Sequence, residues 1–355
     1  MPTPPRISIA LASYNGAEFI GEQLESFAAQ THLPFELQVG DDGSSDATLD
    51  IVEAFARSAP FPVHAVRNSE NLGFADNFLS TAERCGGDWI AFADQDDAWL
   101  PSKLERIAQA IETHAKDELA LVAHKVEVTD AQLRPTGGRP GWNDWSASNL
   151  RPRLGRRGLW SVGGCVIVFR ADLVRGADWR DRPFNENAWR NLGCPKQRMD
   201  PHDRWVCLVA NALGSTLLLD EKLGLFRRHE AAGTGRHANP GVRESIAEAA
   251  GTGADSYRRD EKAALDAAEC LRRHAQSAAE PNKGRFEEAA RAYDRLAAVL
   301  AGRARLYERD GRIGRLGELA GLVRGRAYFG DSLVSSGLRS LLKDSVAALA
   351  PSLLR

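Results

Sequence analysis

The chain has 355 residues and a formal net charge of −2, with a pI near 6.5. This length suits one large α/β domain with a smaller appendage, and the near-neutral charge gives no overall attraction to nucleic acid. The sequence contains no run of about 18 apolar residues, so no membrane-spanning helix is predicted.

The five cysteines are scattered and form no CxxC pair. This pattern indicates a reducing compartment, and it argues against a disulfide framework or a zinc knuckle. The first residues lead directly into a predicted strand without a recognisable signal peptide. We therefore expect a cytoplasmic protein.

Strand and helix periods alternate through the first 130 residues. Apolar runs predict four strands, at 7–13, 35–42, 63–67 and 88–94. Apolar residues at helical spacing predict four helices that follow these strands, at 17–30, 46–57, 74–85 and 101–114. Regular alternation of this kind is typical of an α/β fold with a doubly wound, mostly parallel sheet. Ligands of such sheets bind outside the carboxyl ends of the strands.

The pattern becomes less regular after residue 130. A Gly-, Pro-, Arg- and Trp-rich stretch at 136–159 predicts a long loop that shapes or covers a site. The elements predicted next are a strand at 163–169, a helix from 200 to about 213, a strand at 215–226 and a linker or lid at 231–241. Ala-, Arg- and Glu-rich helices follow and end in amphipathic leucines at 333–354. We expect two regions, 1–235 and 236–355.

Three carboxylates within four positions, Asp94, Asp96 and Asp97, end the fourth predicted strand. Carboxylates this close raise one another's pKa unless a cation lies between them. Taken alone, the segment is compatible with a divalent cation site, a solvated loop or acid/base chemistry.

Polar side chains also end the first two predicted strands. Tyr14 and Asn15 follow the first strand, where an aromatic face can stack on a nucleobase. Asp41 and Asp42 end the second strand, where a carboxylate can accept a hydrogen bond from a uracil or thymine imino group or from a ribose. An aspartate there can equally form the turn before Gly43, so we expect one aspartate in each role without assigning them. Three strands thus point to one crevice.

Four motifs, in order, resemble the inverting glycosyltransferases of family 2, which have the GT-A fold. They are LASYN at 11–15, DDGSSD at 41–46, NLGF at 71–74 and DQDD at 94–97. The resemblance covers roughly residues 6–230, and later segments match it too: Gly163-Gly164, His202-Asp203 and Arg228-His229. The motif sequences are most similar to those of the family branch that includes bacterial rhamnosyltransferases and O-antigen or cell-wall sugar transferases. The expected fold is therefore GT-A with a C-terminal helical extension.

The resemblance implies a metal-assisted donor site. Mg²⁺ or Mn²⁺ would stabilise the departing diphosphate as a Lewis acid, with Asp96 as the direct ligand and Asp94 and His229 assisting. The residues implied for binding the nucleotide-sugar donor are Tyr14, Asn15, Asp41, Asp42, Asn71, Asn77, Asp94 and Arg228. Those implied for contacts to the sugar or acceptor are Asp97, Trp99 and His202. A loop-forming role for Asn71 and Asn77 stays open.

Inverting transfer requires a base that takes a proton from the acceptor hydroxyl. The resemblance assigns this role to Asp203, with His202 assisting it or contacting the acceptor. An aspartate in the first turn of a helix is also favoured by the helix dipole alone.

The function implied is a non-processive transferase that moves a sugar from a UDP- or dTDP-sugar to a saccharide acceptor, expected to be lipid-linked. Residues 225–229 lack the Gln-x-x-Arg-Trp wording of processive synthases. The arginine-rich C-terminal region is compatible with peripheral contact at the inner face of the cell membrane, with a solvated helical face or with an oligomer contact.

Three other functions were weighed against this one. An inert sugar-nucleotide-binding or scaffold subunit would need no base, and the presence of Asp203 argues against it. A nucleotidyltransferase is disfavoured because residues 14–18 lack a basic side chain. A dinucleotide-dependent oxidoreductase is disfavoured because no GxGxxG follows the first strand.

Overall fold

The structure, a computed structural model, describes residues 4–138, 145, 147–155, 158–184, 199–229, 253–329 and 333–349. Among these residues nine strands form one sheet: β1 (Ile7–Ser13), β2 (Glu36–Asp41), β3 (Val63–Arg67), β4 (Trp89–Asp94), β5 (Ala98–Trp99), β6 (Leu119–Thr129), β7 (Asn149–Arg151), β8 (Ile167–Arg170) and β9 (Ser215–Arg227).

Helices surround this sheet and extend beyond it. Those of the first part are α1 (Ile20–Ala28), α2 (Thr48–Ala56), α3 (Phe74–Arg84), α4 (Lys103–Thr113), α5 (Asp172–Arg175) and α6 (His202–Leu213). Those of the C-terminal part are α7 (Ala254–Ser277), α8 (Asn282–Glu308), α9 (Arg312–Arg324) and α10 (Leu338–Leu349).

The sheet has a parallel half and a mixed half. Its order is β3-β2-β1-β4-β8-β6-β9-β5, with β7 paired to β9. Strands β1 to β4 are parallel, and their register places Ser13 beside Asp41 and Ala12 beside Asp94. Strand β8 runs antiparallel to β4 and β6, whereas β6 and β9 are parallel to each other. The parallel half therefore brings the ends of β1, β2 and β4 to one edge.

Alternating side chains of the central strands fill two cores, one on each face. In β4, Ala91 and Ala93 contribute to a core built with α1, α2 and α4, whereas Ile90 and Phe92 face the opposite core. The second core includes Trp205 of α6 and Phe286 of α8, so α7 and α8 share a hydrophobic core with the sheet. The C-terminal helices are thus packed onto the first region.

The sequence predictions for the first 114 residues are confirmed, with β1 and β3 at the predicted bounds. Beyond them the structure corrects several elements. The strand predicted at 163–169 begins as a 3₁₀ turn at Gly164–Val166 and becomes extended at Ile167–Arg170, and the helix predicted from 200 begins at His202. Strands β5, β6 and β7 were not predicted.

The boundary predicted after residue 235 and the linker at 231–241 lie outside the described residues, as do residues 139–144, 146, 156 and 157 of the loop predicted at 136–159. The described part of that loop contains the short strand β7. Within the described part of the chain, no helix is both long enough and apolar enough to cross a bilayer.

Candidate active site

The loops that follow β1, β2 and β4 meet at the carboxyl edge of the parallel half. Asn15 adopts a left-handed backbone with φ of 47°, which asparagine tolerates better than most residues. Its side-chain oxygen accepts a hydrogen bond from the Ser45 backbone N–H at 2.8 Å, and its own backbone N–H donates to the Ser44 hydroxyl at 2.9 Å. Asn15 therefore ties the first loop to the second.

Asp41 is the turn-forming aspartate of the pair at the end of β2. It is fully buried, and its Oδ1 accepts hydrogen bonds from the backbone N–H groups of Gly43 at 3.2 Å and Ser44 at 2.9 Å. The hydroxyl of Ser13 donates to its other oxygen at 3.2 Å. This carboxylate thus fixes the loop after β2.

Asp42 holds the Asn71-x-Gly73 segment. Its carboxylate accepts hydrogen bonds from the backbone N–H groups of Leu72 and Gly73, both at 2.8 Å, and from the Asn68 amide at 2.9 Å. The Asn71 amide donates to the Asp42 carbonyl at 3.0 Å. The segment before α3 is therefore fastened to the end of β2.

Asn77 supports this edge from inside the protein. It is 1% exposed, its amide donates to the Gly40 carbonyl at 2.8 Å, and its oxygen accepts from Asn68 at 3.0 Å. A contribution of Asn77 to donor binding would therefore be indirect, through Asn68 and Gly40.

Tyr14, by contrast, is 52% exposed, so its side chain is accessible to a ligand.

Gln95 joins the first loop to the acidic loop. Its oxygen accepts from the Tyr14 backbone N–H at 2.9 Å, and its amide donates to the Tyr14 carbonyl at 3.1 Å. Gly16 lies directly against this amide, and a Cβ there would come within 2.1 Å of the Gln95 oxygen.

The acidic loop is held on its other side by the end of β9. The Nε2 atom of His229 lies 2.9 Å from Oδ2 of Asp96, although the residues are 133 positions apart. The backbone N–H of the buried Arg227 donates to the Asp97 carboxylate at 3.0 Å, and its Nε donates to the Asp96 carbonyl at 2.6 Å. The ring of Phe19 packs against the His229 ring, with 4.4 Å between the ring centres.

Two acids of this loop lie in an unusually unfavourable environment for charge. Burial, followed by the neighbouring carboxylates of Asp96 and Asp203, raises the pKa of Asp94 to about 7. Burial and the carboxylates of Asp96 and Asp94 raise the pKa of Asp97 well above its usual value. A cation placed among these groups would relieve that repulsion.

A lysine lies beneath the acidic loop. Lys103, in the first turn of α4, is fully buried, donates to the Cys165 carbonyl at 3.2 Å and lies 3.5 Å from the centre of the Trp99 ring. Burial lowers its pKa to about 7, opposed by the charges of Cys165, Asp97 and Asp94. Helix α4, in which no site residue was predicted from the sequence, thus places a buried lysine close to Asp94 and Asp97.

Asp203 lies in the first turn of α6. It is close enough to the acidic loop for its negative charge to raise the pKa of Asp94. Burial raises the pKa of Asp203 to about 6, with Asp200 contributing, while the backbone N–H of Arg204 donates to its carboxylate at 2.7 Å. A carboxylate with a pKa near neutrality is a suitable general base at physiological pH.

His202 and Trp99 are packing residues. The His202 ring is 6% exposed, stacks on Phe78 at 4.1 Å and has a pKa lowered to about 3 by burial and by Arg182. Trp99 is 4% exposed and packs edge-on against Phe27 at 4.7 Å. Both rings are thus largely enclosed by protein, and the sugar or acceptor contacts expected of them stay predictions.

The donor atoms at this edge suit a hard divalent cation. Oxygen and imidazole ligands come together at Asp96 and His229, and such cations take one or two protein carboxylates together with substrate phosphates. One ligand atom each from Asp94, Asp97 and Cys165 also lie within 4.8 Å of one another. Hard divalent cations prefer oxygen to sulfur ligands, so the two carboxylates are favoured over the Cys165 thiol.

Sequence reasoning missed Gln95, Lys103 and Arg227. A lysine on the apolar stripe of a predicted helix, in line with Ile107 and Ile111, was the available signal for Lys103. The roles of Gln95 and Arg227 depend on contacts across 81 and 131 positions, which leave no local signal.

Residues 8–175 match the family model for glycosyl transferase family 2. The chain carries a family 2 glycosyltransferase domain. Its motifs at the ends of β1, β2 and β4 are those through which the sequence resembled that family, so this expectation is confirmed.

Three known proteins show what the family 2 domain is similar to. An uncharacterized glycosyltransferase of Nostoc is 30% identical over 233 residues, which cover 64% of this chain and 66% of that protein. The dTDP-rhamnosyl transferase RfbG of Shigella flexneri is 34% identical over 99 residues, 27% of this chain and 34% of RfbG. The matches thus span less than two thirds of these curated relatives.

The crystal structure of S. aureus TarS 1–349 in complex with UDP-GlcNAc has a TM-score of 0.54 at 17% identity, covering 92% of this chain and 93% of that one. At this identity the likeness concerns the fold, and it confirms the expected α/β architecture with C-terminal helices.

Proposed function

We propose that the protein is a metal-dependent, inverting, non-processive glycosyltransferase that moves a sugar from a UDP- or dTDP-sugar to a saccharide acceptor. The observation that carries this proposal is the convergence of four carboxylates at one sheet edge. Asp94, Asp96 and Asp97 come from one loop, and Asp203 comes from a separate helix whose charge raises the pKa of Asp94. One edge thus combines a diphosphate-neutralising centre with a carboxylate base.

Asp203 is the proposed base. Its carboxylate is anchored through one oxygen by the Arg204 backbone N–H, which leaves the other oxygen to accept the acceptor proton. The attacking oxygen then bonds to the anomeric carbon from the face opposite the diphosphate, and the bond to the diphosphate oxygen breaks, so the configuration inverts.

Asp96 and His229 would hold Mg²⁺ or Mn²⁺, with Asp94 as a further ligand or a ribose contact. The ion would neutralise charge on the departing diphosphate. Arg227 fixes the loop that carries Asp96 through its carbonyl contact. The guanidinium of Arg228, at the same strand end, is proposed to balance phosphate charge.

The donor base is proposed to stack on Tyr14, whose ring is exposed at the end of β1. Asn15, Asp41, Asp42, Asn71 and, behind them, Asn77 order the loops around that base. A pyrimidine nucleotide is supported by relatives, since RfbG is named a dTDP-rhamnosyl transferase and the TarS complex contains UDP-GlcNAc. A lipid-linked saccharide of a cell-surface polysaccharide is the proposed acceptor class.

The rival function is an inert sugar-nucleotide-binding subunit. It would bind the same donors but would neither transfer nor hydrolyse them. The raised pKa of Asp203 favours the enzyme, because a binding subunit gains nothing from a carboxylate poised near neutrality.

The test is a panel of UDP-, dTDP- and GDP-sugars assayed for slow donor hydrolysis with and without Mn²⁺. We expect turnover of a pyrimidine nucleotide sugar that requires the metal, and we expect Asp96→Ala to abolish both turnover and the metal effect. Asp172→Asn, which alters an exposed carboxylate paired with Arg170, is the matched control and should keep full activity. Metal-independent binding without any hydrolysis or transfer would support the inert subunit instead.

A further inference from the structure

The C-terminal helices carry an unusual concentration of exposed apolar side chains. Of the thirteen large apolar side chains that are exposed in the described part of the chain, seven lie between residues 313 and 349. We call them the C-terminal apolar face: Ile313, Leu316, Val323, Phe329, Leu338, Leu342 and Leu349. Ile313 is 89% exposed, and Leu338 and Leu342 are 62% and 60% exposed.

Helix α9 turns its apolar residues outward. Ile313, Leu316 and Val323 recur at helical spacing on its exposed side, and Leu322 is its buried residue. A Cβ added at Gly317 or Gly321 would meet no atom within 4 Å, so this side is open. A surface helix normally buries its apolar stripe against the core, and this helix contains glycines that weaken it on its own. The exposed apolar side of α9 is therefore suited to contact with an apolar surface outside this chain.

Helix α10 repeats the arrangement. Leu338, Leu342 and Leu349 lie on its exposed side, whereas Ala347 and Ala348 are buried. The two helices contact each other, and Phe329, which is 51% exposed, lies in the segment between them. The apolar residues of both helices thus belong to one corner of the protein.

The charge around this face is positive although the whole chain carries −2. Residues 309–349 contain seven arginines and lysines against four aspartates and glutamates. Two of those acids are already paired, because Asp344 is buried against Arg303, and Glu318 contacts Arg305 and Arg309. The exposed cations left beside the face are Arg312, Arg324, Arg326 and Arg339.

A cleft of about 430 Å³ opens between α8 and α9. Its walls include Ala298, Val299 and Leu322, the cation Arg295 and the ion pair of Arg305 with Glu318. The cleft thus adds apolar surface beside α9, with Arg295 at its wall.

We propose that the C-terminal apolar face binds the surface of an anionic lipid bilayer. Exposed apolar side chains enter the headgroup boundary while flanking arginines contact lipid phosphates. A second copy of the chain fits less well, because a symmetric contact would bring the same arginines of both copies against one another. The proposal is independent of the transferase site, whose residues lie between Tyr14 and His229 and are not part of the C-terminal apolar face.

The experiment is co-sedimentation of the full chain with vesicles of phosphatidylglycerol and phosphatidylcholine, compared with phosphatidylcholine alone. We expect binding to the anionic vesicles and loss of binding as salt rises, since screening weakens the arginine contribution. The double variants Ile313→Ser/Leu316→Ser and Leu338→Ser/Leu342→Ser should each reduce the bound fraction at least tenfold. Donor hydrolysis without vesicles should be unchanged.

The matched control is Leu33→Ser/Leu265→Ser, which removes two leucines that are 44% and 47% exposed outside the face. It should bind vesicles like the parent protein. Equal binding by the face variants and the control, or no binding by the parent, overturns the proposal. A dimer in light scattering that the face variants convert to a monomer overturns it too, because a second copy would then cover the face.

Discussion

Asp203 and Asp94 show how one residue's environment sets the chemistry of another. Both carboxylates are partly buried, and the charge of Asp203 contributes to the raised pKa of Asp94. The sequence does not indicate that Asp203 and Asp94 interact, because an aspartate in the first turn of a helix is already explained by the helix dipole. Only its position close to Asp94 in the folded protein makes Asp203 a candidate for the active site.

The pH dependence of turnover should report Asp203. Its pKa is raised to about 6, so the carboxylate is protonated and unable to accept a proton below that pH, and becomes a base above it. We expect kcat/KM to rise through about pH 6 and then level off. Asp203→Asn should lower kcat by about 10²–10⁴-fold with little change in donor Kd, as measured by titration calorimetry. A variant that keeps the parent's rate and acidic limb would exclude Asp203 as the base.

At the scale of elements, loops that are distant in sequence hold one another in place through side chains. Gln95 binds both backbone groups of Tyr14, Asp42 binds the segment before α3, and Arg227 binds the acidic loop. Each link joins the end of one strand to the loop of another. The donor pocket therefore depends on the relative placement of β1, β2, β4 and β9 more than on any single loop.

Gly16→Ala should weaken donor binding without unfolding the protein. The new Cβ would come within 2.1 Å of the Gln95 oxygen, so that side chain must leave the Tyr14 backbone. The two lost hydrogen bonds are worth roughly 1 kcal/mol each. If donor binding loses about 1–2 kcal/mol, the donor Kd should rise about fivefold to thirtyfold. Gly317→Ala, where a Cβ meets nothing within 4 Å, is the control and should leave Kd unchanged. An unchanged Kd in Gly16→Ala would show that the Gln95 bridge does not order the pocket.

At the scale of the whole molecule, the C-terminal helices are fastened to one another by a buried ion pair. Asp344 is fully buried and accepts hydrogen bonds from Arg303 Nε and the Tyr328 hydroxyl, both at 2.8 Å, and from the Tyr307 hydroxyl at 3.1 Å. This links α10 to α8. Through α8, the corner that carries the C-terminal apolar face is joined to the core shared with the sheet.

Asp344→Asn should destabilise the protein strongly because it leaves the Arg303 charge buried without its partner. Removing one member of a buried pair costs about 3–5 kcal/mol, and we expect a loss of this size in the free energy of unfolding measured with urea. The control is Glu308→Gln, which breaks the exposed pair with Arg258 and should change stability much less. Equal effects of the two substitutions would mean that burial of the Asp344 pair contributes nothing.

The sequence by itself determined the parallel half of the sheet and the positions of its functional loops. Strand and helix periods are local properties, and in β1, β3 and the helices between them they are strong enough to fix bounds within a few residues. The order of the motifs at 11–15, 41–46 and 94–97 likewise placed Tyr14, Asp42 and Asp96 at strand ends. The resemblance to family 2 glycosyltransferases rests on these motifs together with the one at 71–74.

Only the tertiary structure decided the mixed half of the sheet and the surroundings of the acids. The pairing of β6 with β9 and the approach of His229 to Asp96 join residues that are about a hundred positions apart, so no local pattern records them. The burial of Lys103, Trp99 and His202 is likewise a property of packing. Charge and exposure depend on what surrounds a side chain in space, and the sequence specifies those surroundings only through the fold.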